Sequence, residues 1–115
     1  MGLPTIRFLL AATLCAGLGG AATARSAELP TFAIVARDGR LLPERIEVPA
    51  GTKIKLTIKN EGTGPIEFEN LDLRVEKVLA PGASSFLVIH PLKPGSYRFI
   101  DEFHLATGVM QVIAK

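Results

Sequence analysis

Two short stretches of this sequence concentrate side chains that could bind a metal ion. The stretch 66–76 is rich in glutamate, and the stretch 101–110 combines two acids with a histidine and a methionine. The candidate ligands are Glu67, Glu69, Glu76, Asp101, Glu102, His104 and Met110. Carboxylates with one imidazole are hard to borderline donors, which suit iron or copper(II) better than copper(I). These residue types therefore predict a metal site built mainly from hard ligands.

The acids of the first stretch also have an ordinary structural explanation. Glu67 and Glu69 alternate with the apolar Ile66 and Phe68, so they could simply form the hydrated face of a strand. Two acids on one face repel each other, however, and a cation would relieve that repulsion. Both interpretations of this acidic face stay open at the level of the sequence.

Each of the remaining candidate ligands also has an ordinary structural explanation beside the metal-binding one. His104 could be an ordinary surface histidine, Asp101 could cap a turn, and Glu76 could form an ion pair with a neighbouring basic residue. Met110 falls in a terminal stretch of alternating hydrophobicity, where a methionine usually packs in the core. The second histidine, His90, matches no ligand pattern and is expected to be exposed. The metal hypothesis therefore depends on His104 rather than on His90.

The first 24 residues have the composition of a secretory signal peptide. Arg7 precedes an apolar run at 8–18, and Ala22-Thr23-Ala24 has the small-x-small form of a cleavage site. A run of 11 residues is too short to cross a bilayer as a helix. Cleavage after residue 24 would leave residues 25–115 as a periplasmic domain that does not span the membrane. That domain would lack Cys15, the one cysteine, and so would have no thiolate for catalysis or metal binding.

The pattern of residues 25–115 predicts a single all-β domain. Glycine and proline interrupt the chain at short intervals, and the segments between them alternate in hydrophobicity or are rich in β-branched residues. The clearest strand is 53–60, in which Ile54, Leu56 and Ile58 share one face. The other predicted strands are 31–37, 45–48, 66–70, 76–79, 85–89, 97–100 and 109–114. Together they predict an antiparallel Greek-key β-sandwich of seven to eight strands.

Several ordered motifs resemble those of the cupredoxins, which are β-sandwich proteins that bind copper. The broad resemblance is carried by Val48-Pro49-Ala50-Gly51-Thr52, Pro94-Gly95-x-Tyr97-x-Phe99 and His104. A narrower one, to small periplasmic cupredoxin-like proteins linked to bacterial iron permease systems, is carried by 66–70, 76–78, 91–97 and 102–104. It implies a cupredoxin-like fold, a bound iron or copper ion, and an iron permease or another periplasmic iron-uptake component as partner.

The sequence departs from the cupredoxin pattern at the ligand positions. Asp101 stands where the copper-ligand cysteine of the family is found, in the spacing Asp101-x-x-His104. In place of the family's first histidine the chain offers Glu67 or Glu69, and Met110 lies one residue later than the axial methionine. Against the family pattern, carboxylates therefore replace thiolate and imidazole.

The predicted function is a periplasmic protein that binds iron or copper and supports iron uptake by a membrane permease. One alternative is a copper-dependent ferroxidase or electron-transfer protein, and another is a metal-free β-sandwich that mediates interactions. The formal net charge of +2 does not favour nucleic-acid binding, which requires a concentrated basic surface. No catalytic triad, phosphate loop or nucleotide-binding motif is present, so ferroxidase chemistry is the only enzymatic alternative retained.

Overall fold

The computed structural model describes residues 2–3 and 28–115, so nearly all of the predicted signal peptide lies outside the described residues. In the described part, the chain forms nine strands and one 3₁₀ turn. The strands are β1 (Thr31–Arg37), β2 (Arg40–Leu42), β3 (Arg45–Val48), β4 (Ile54–Asn60), β5 (Ile66–Asn70), β6 (Val75–Leu79), β7 (Ser84–Ile89), β8 (Gly95–Asp101) and β9 (Val109–Ala114). The 3₁₀ turn, Glu102–His104, connects β8 to β9. Among these residues, no helix has the length and hydropathy needed to cross a membrane.

The strands form the two sheets of a β-sandwich, which confirms the predicted fold class. One sheet has the strand order β2-β1-β4-β7, and the other has the order β3-β9-β8-β5-β6. Eight of the nine described strands coincide with predicted strands to within two residues at either end. The additional strand, β2, pairs with β1 across a tight turn in which Asp38 and Gly39 have positive φ.

The strand directions differ from the purely antiparallel arrangement that the sequence predicts. The pairs β1–β4 and β3–β9 are parallel, whereas the other five described pairs are antiparallel. The reason is that the chain crosses to the second sheet as β3 before it returns to the first sheet as β4. A crossover of this kind brings β4 back beside β1 in the same direction.

The hydrophobic core lies between the two sheets. Ile54, Leu56 and Ile58 of β4 are each at most 1% exposed, which confirms the face assigned to them from their alternation. Phe68 of β5 and Phe99 of β8 stack with their ring centroids 5.2 Å apart. This packing fixes which side of β5 and β8 faces the core and therefore which residues face outward.

Candidate metal site

Three glutamates meet on the outer face of the five-stranded sheet. In β5, Ile66 and Phe68 face the core, so Glu67 and Glu69 project to the opposite side. The antiparallel register of β5 and β6 places Glu76 directly opposite Glu69. One carboxylate oxygen from each glutamate lies within 4.8 Å of the others. We call Glu67, Glu69 and Glu76 the acidic triad.

Glu69 is the buried member of the acidic triad. It is only 2% exposed, although it lies on the outer face of the sheet. The 3₁₀ turn that carries Glu102 packs against β5, the strand of Glu69. No N–H or hydroxyl donor among the described residues reaches Glu69 Oε1. A buried carboxylate without donors is costly to ionise unless a cation or a proton neutralises it.

The surroundings of Glu69 disfavour its charged form. The hydrogen bond with Glu102 and burial, together with the negative charges of the neighbouring glutamates, raise the pKa of Glu69 from 4.5 to about 7. The ion pairs formed within residues 28–115 involve none of these four glutamates. A proton shared between Glu69 and Glu102 neutralises one charge, whereas a metal ion would neutralise two or more. The arrangement therefore favours a cation with carboxylate ligands.

Asp101 and His104 form a separate pair on the core side of the same sheet. In the antiparallel pairing of β5 with β8, Asp101 lies opposite Phe68, which faces the core. The side chain of Asp101 therefore also points to the core side of the sheet, whereas Glu69 points to the outer side. Asp101 Oδ1 accepts hydrogen bonds from the backbone N–H groups of Glu67 (3.0 Å) and Phe103 (3.1 Å). Asp101 Oδ2 lies 2.6 Å from His104 Nδ1. Asp101 thus caps the 3₁₀ turn, which is the structural alternative suggested for it by the sequence.

His104 borders a cleft at one end of the sandwich. Its side chain is 39% exposed, and the cleft has a volume of about 300 Å³. Gly39, Ile66 and Thr107 contribute to the lining, together with Asp101. Within residues 28–115, the acidic triad is the one group of three acidic, histidine or cysteine side chains close enough to share a metal ion. Asp38 also lines the cleft, but it is not close enough to Asp101 and His104 for the three side chains to share an ion.

The structure divides the seven predicted ligands into three groups instead of bringing them to one centre. The acidic triad meets Glu102 on the outer face, Asp101 pairs with His104 on the inner face, and Met110 is fully buried in the core. The division follows from strand geometry, because neighbouring residues of β5 and β8 point to opposite faces of the sheet. His90 is exposed, as its lack of a ligand pattern predicts.

Two buried asparagines that the sequence analysis did not single out brace the segments on either side of β5. Asn60 donates through Nδ2 to the carbonyl oxygens of Gly64 (2.8 Å) and Leu79 (3.0 Å). Asn70 donates through Nδ2 to the carbonyl oxygen of Arg98 at 2.9 Å. An asparagine that ends a strand and precedes a turn is the sequence signal for such a role. These bonds fix the strand that carries Glu67 and Glu69.

Comparison with known sequences places the chain among β-sandwich proteins. Residues 8–114 match the family described as "Cupredoxin-like domain". An uncharacterized protein of Rickettsia prowazekii (strain Madrid E) is 40% identical over 75 residues, which are 65% of this chain and 60% of that protein. The match therefore spans less than two thirds of the length of this curated relative.

Solved structures with the same fold include proteins described as metal-binding. Auracyanin from Roseiflexus castenholzii has a TM-score of 0.61 at 19% identity, covering 74% of this chain and 96% of auracyanin. The metal-binding domain of the Cu(I)-exporting P-type ATPase of Streptococcus pneumoniae D39 has a TM-score of 0.66 at 13% identity, covering 74% and 84%. A purple cupredoxin from Nitrosopumilus maritimus has a TM-score of 0.55 at 19% identity, covering 72% and 98%. Identities this low establish a shared fold alone.

Proposed function

This chain belongs to the cupredoxin-like domain family, and on that premise we propose that it binds a metal ion on the acidic triad. The observation that carries the proposal is the state of Glu69, which is buried beside Glu67 and Glu76 and has an oxygen that no donor among the described residues reaches. Three carboxylates are hard donors, which fit iron or copper(II) better than copper(I). Glu76 is exposed, which gives the ion a route to and from solvent.

A thiolate copper centre, which the cupredoxin fold suggests, does not fit the residues at the end of β8. In the motif resemblance, Asp101 takes the position of the copper-ligand cysteine. Its carboxylate is engaged by two backbone N–H groups and by His104. Ile66, an apolar residue, lines the same cleft. The one cysteine of the sequence, Cys15, belongs to the predicted signal peptide. The carboxylates of the outer face are therefore the better-supported cation site.

We further propose that the domain acts in the periplasm, where it passes iron to an uptake permease. The signal-peptide pattern of residues 1–24 supports export. The motif resemblance to periplasmic proteins of iron permease systems supports the iron-uptake role. Oxygen ligands accept hard ions, among which the motif resemblance points to iron, and the exposed Glu76 suits transfer of the ion to a partner.

Equilibrium dialysis of the purified protein against copper(II), iron(II) and iron(III) tests the cation site. We expect the wild type to bind one ion and Glu69→Gln to lose most of the affinity, because the substitution keeps the side-chain shape but removes its charge. Glu44→Gln is the matched control, since Glu44 is exposed and pairs with Arg40. Absence of binding by the wild type, or equal binding by Glu69→Gln, would contradict the proposal.

The absorption spectrum of the copper(II) complex gives an independent measurement. A site of carboxylates lacks the copper–thiolate bond that produces an intense visible band. We therefore expect the copper-loaded protein to be pale, with weak absorption across the visible range. An intense blue or purple colour would show that a thiolate binds the ion and would contradict the carboxylate site.

A further inference from the structure

The outer face of the four-stranded sheet is basic and partly apolar. None of its four strands, β1, β2, β4 and β7, contains an aspartate or a glutamate. Acids lie beyond the strand ends, such as Glu61, which follows β4 and pairs with Arg37. The outer face of the five-stranded sheet carries the acidic triad instead. The two outer faces of the sandwich therefore differ in charge.

Lysines and apolar side chains lie next to each other on this face of β4 and β7. In both strands, the residues that alternate with buried core residues project outward. Lys55 lies opposite Val88 in the antiparallel register, and its Nζ is 4.4 Å from the ring centroid of Phe86. Phe86 is 51% exposed and Val88 is 38% exposed. We call these three residues and Lys59, the other outward-facing lysine of β4, the basic patch.

The two lysines of the basic patch are only weakly neutralised by acids. Among residues 28–115, Lys55 forms no ion pair. Lys59 Nζ lies 4.0 Å from the carboxylate of Glu61, which also pairs with Arg37. An exposed pair this long contributes little. Both ammonium groups can therefore attract a negatively charged surface, and two exposed apolar side chains lie beside them.

An anionic lipid bilayer fits this combination of side chains better than a protein does. At a bilayer surface, apolar side chains enter the boundary between headgroups and acyl chains, while lysines attract anionic headgroups. A second copy docked face to face would bring like charges together, which is unfavourable. An acidic protein would need carboxylates matched to the lysine positions, whereas the headgroups of a fluid bilayer rearrange around them.

The place where the chain enters the domain supports the same occupant. Glu28 and Leu29 precede β1 and line a cavity of about 450 Å³, which Lys55, Phe86 and Val88 also line. The predicted signal peptide is the part of the chain that meets the membrane during export. It therefore joins the domain beside the basic patch.

We propose that the basic patch docks on the surface of an anionic lipid bilayer. This inference goes beyond the proposed function, because it concerns the other outer face of the sandwich and needs no metal ion. An anionic bilayer attracts the basic face and repels the acidic one, so the docked domain has one orientation, with the acidic triad open to solvent. Each lysine near such a surface strengthens binding about fivefold, and salt screens the attraction.

Co-sedimentation of the purified, metal-free protein with lipid vesicles tests the proposal. At low salt, we expect the wild type to bind vesicles that contain phosphatidylglycerol and to stay in solution with vesicles of pure phosphatidylcholine. Raising the salt concentration should release the protein. The double variant Lys55→Gln, Lys59→Gln should bind about 25-fold more weakly. The matched control is Arg45→Gln with Lys115→Gln, which removes the same net charge from partners of Glu47 in the other sheet and should bind like the wild type.

A second pair of variants tests the apolar part of the basic patch. Phe86→Ser should weaken binding to the anionic vesicles about 3- to 10-fold, because the exposed half of the phenylalanine no longer leaves water. Val78→Ser is the control, since Val78 is 64% exposed and lies beside Glu67 on the outer face of the five-stranded sheet. This control should bind like the wild type.

Tryptophan fluorescence measures the orientation directly. The chain has no tryptophan, so Phe86→Trp and Val78→Trp each introduce a single reporter on one outer face. On anionic vesicles, we expect the emission of Phe86→Trp to shift to shorter wavelength and to be quenched by brominated lipid. The emission of Val78→Trp should not change.

Several results would overturn the inference. Absence of wild-type binding to anionic vesicles is the first, and quenching of Val78→Trp instead of Phe86→Trp is the second. Equal losses in the lysine double variant and in its matched control would assign the binding to net charge. Binding to immobilised polyglutamate without binding to vesicles would indicate an acidic protein as the occupant. Dimerisation that Phe86→Ser abolishes, again without binding to vesicles, would indicate a second copy.

Discussion

The carboxyl group of Glu69 is buried beside other carboxyl groups, which disfavours its charged form. The free energy of unfolding should therefore depend on pH. The pKa of Glu69 is raised from 4.5 to about 7 in the folded protein, chiefly by the hydrogen bond with Glu102 and by burial. The folded chain therefore holds this proton more tightly than the unfolded chain does. The stabilisation from this proton is fully present below about pH 4.5 and is lost as the pH rises towards about 7.

Urea unfolding in the presence of a chelator measures this dependence. Between about pH 5 and about pH 8, we expect metal-free wild type to lose more stability than Glu69→Gln, which has no proton to release at this position. Copper(II) added at the higher pH should stabilise the wild type by binding the folded state, with a much smaller effect on the variant. Parallel pH profiles for the two proteins would show that the pKa of Glu69 is not raised.

Gly108 is required by the close approach of two segments. A Cβ at this position would lie 2.7 Å from Asp101 Cβ and 2.9 Å from the carbonyl oxygen of His104. Neither atom is the end of a flexible side chain, so Gly108→Ala should destabilise the protein by about 1–3 kcal/mol. Gly64→Ala is the control, because a Cβ there would have no heavy atom within 4 Å. Similar urea midpoints for the two variants would argue against this packing.

At the scale of the elements, β4 is the strand on which the core depends most clearly. Leu56 is fully buried, so Leu56→Ala should open a cavity and cost about 2–5 kcal/mol. Lys55 lies on the other face, with its Nζ 4.4 Å from the ring centroid of Phe86. Lys55→Ala should therefore cost only about 0.5–1 kcal/mol, the range of an exposed cation–π contact. Equal losses in urea unfolding would mean that the two faces of β4 are wrongly assigned.

The strands could be predicted from the sequence because the buried face of a strand has a period of two. Alternation identifies β4 and β5 within one or two residues. It could not identify β2, which has only three residues and is held by its hairpin with β1. Nor could it predict the parallel pairing of β1 with β4, since the direction of a neighbouring strand depends on the path of the chain between them.

The candidate site could be predicted only in part, because alternation along one strand does not reveal the register between two strands. That Glu67 and Glu69 share one face follows from the sequence, whereas the position of Glu76 depends on the β5–β6 register, which the intervening turn sets. The predicted strand preceding Asp101 ends one residue too early. Because β8 includes Asp101, alternation continues through that residue and sends its side chain inward and Glu102 outward.

At the scale of the whole molecule, residues 1–24 should be absent from the exported protein. The basic residue, apolar run and small-x-small site predict cleavage after Ala24, which makes Arg25 the first residue. Intact-mass analysis of protein recovered from the periplasm should give the mass of residues 25–115. A mass that includes residues 1–24 would contradict the prediction.

The parallel pairing of β3 with β9 has a consequence for the order in which the molecule can fold. Residues Arg45–Val48 pair with Gln111–Ala114, and β9 also separates β3 from β8. An early strand therefore has no partner in its sheet until the last strand of the chain has emerged from the ribosome. Pairings this distant in sequence are slow to form, on the order of milliseconds to seconds in β-sandwiches. The five-stranded sheet, and with it the outer face that carries the glutamates, can thus be completed only after synthesis of β9.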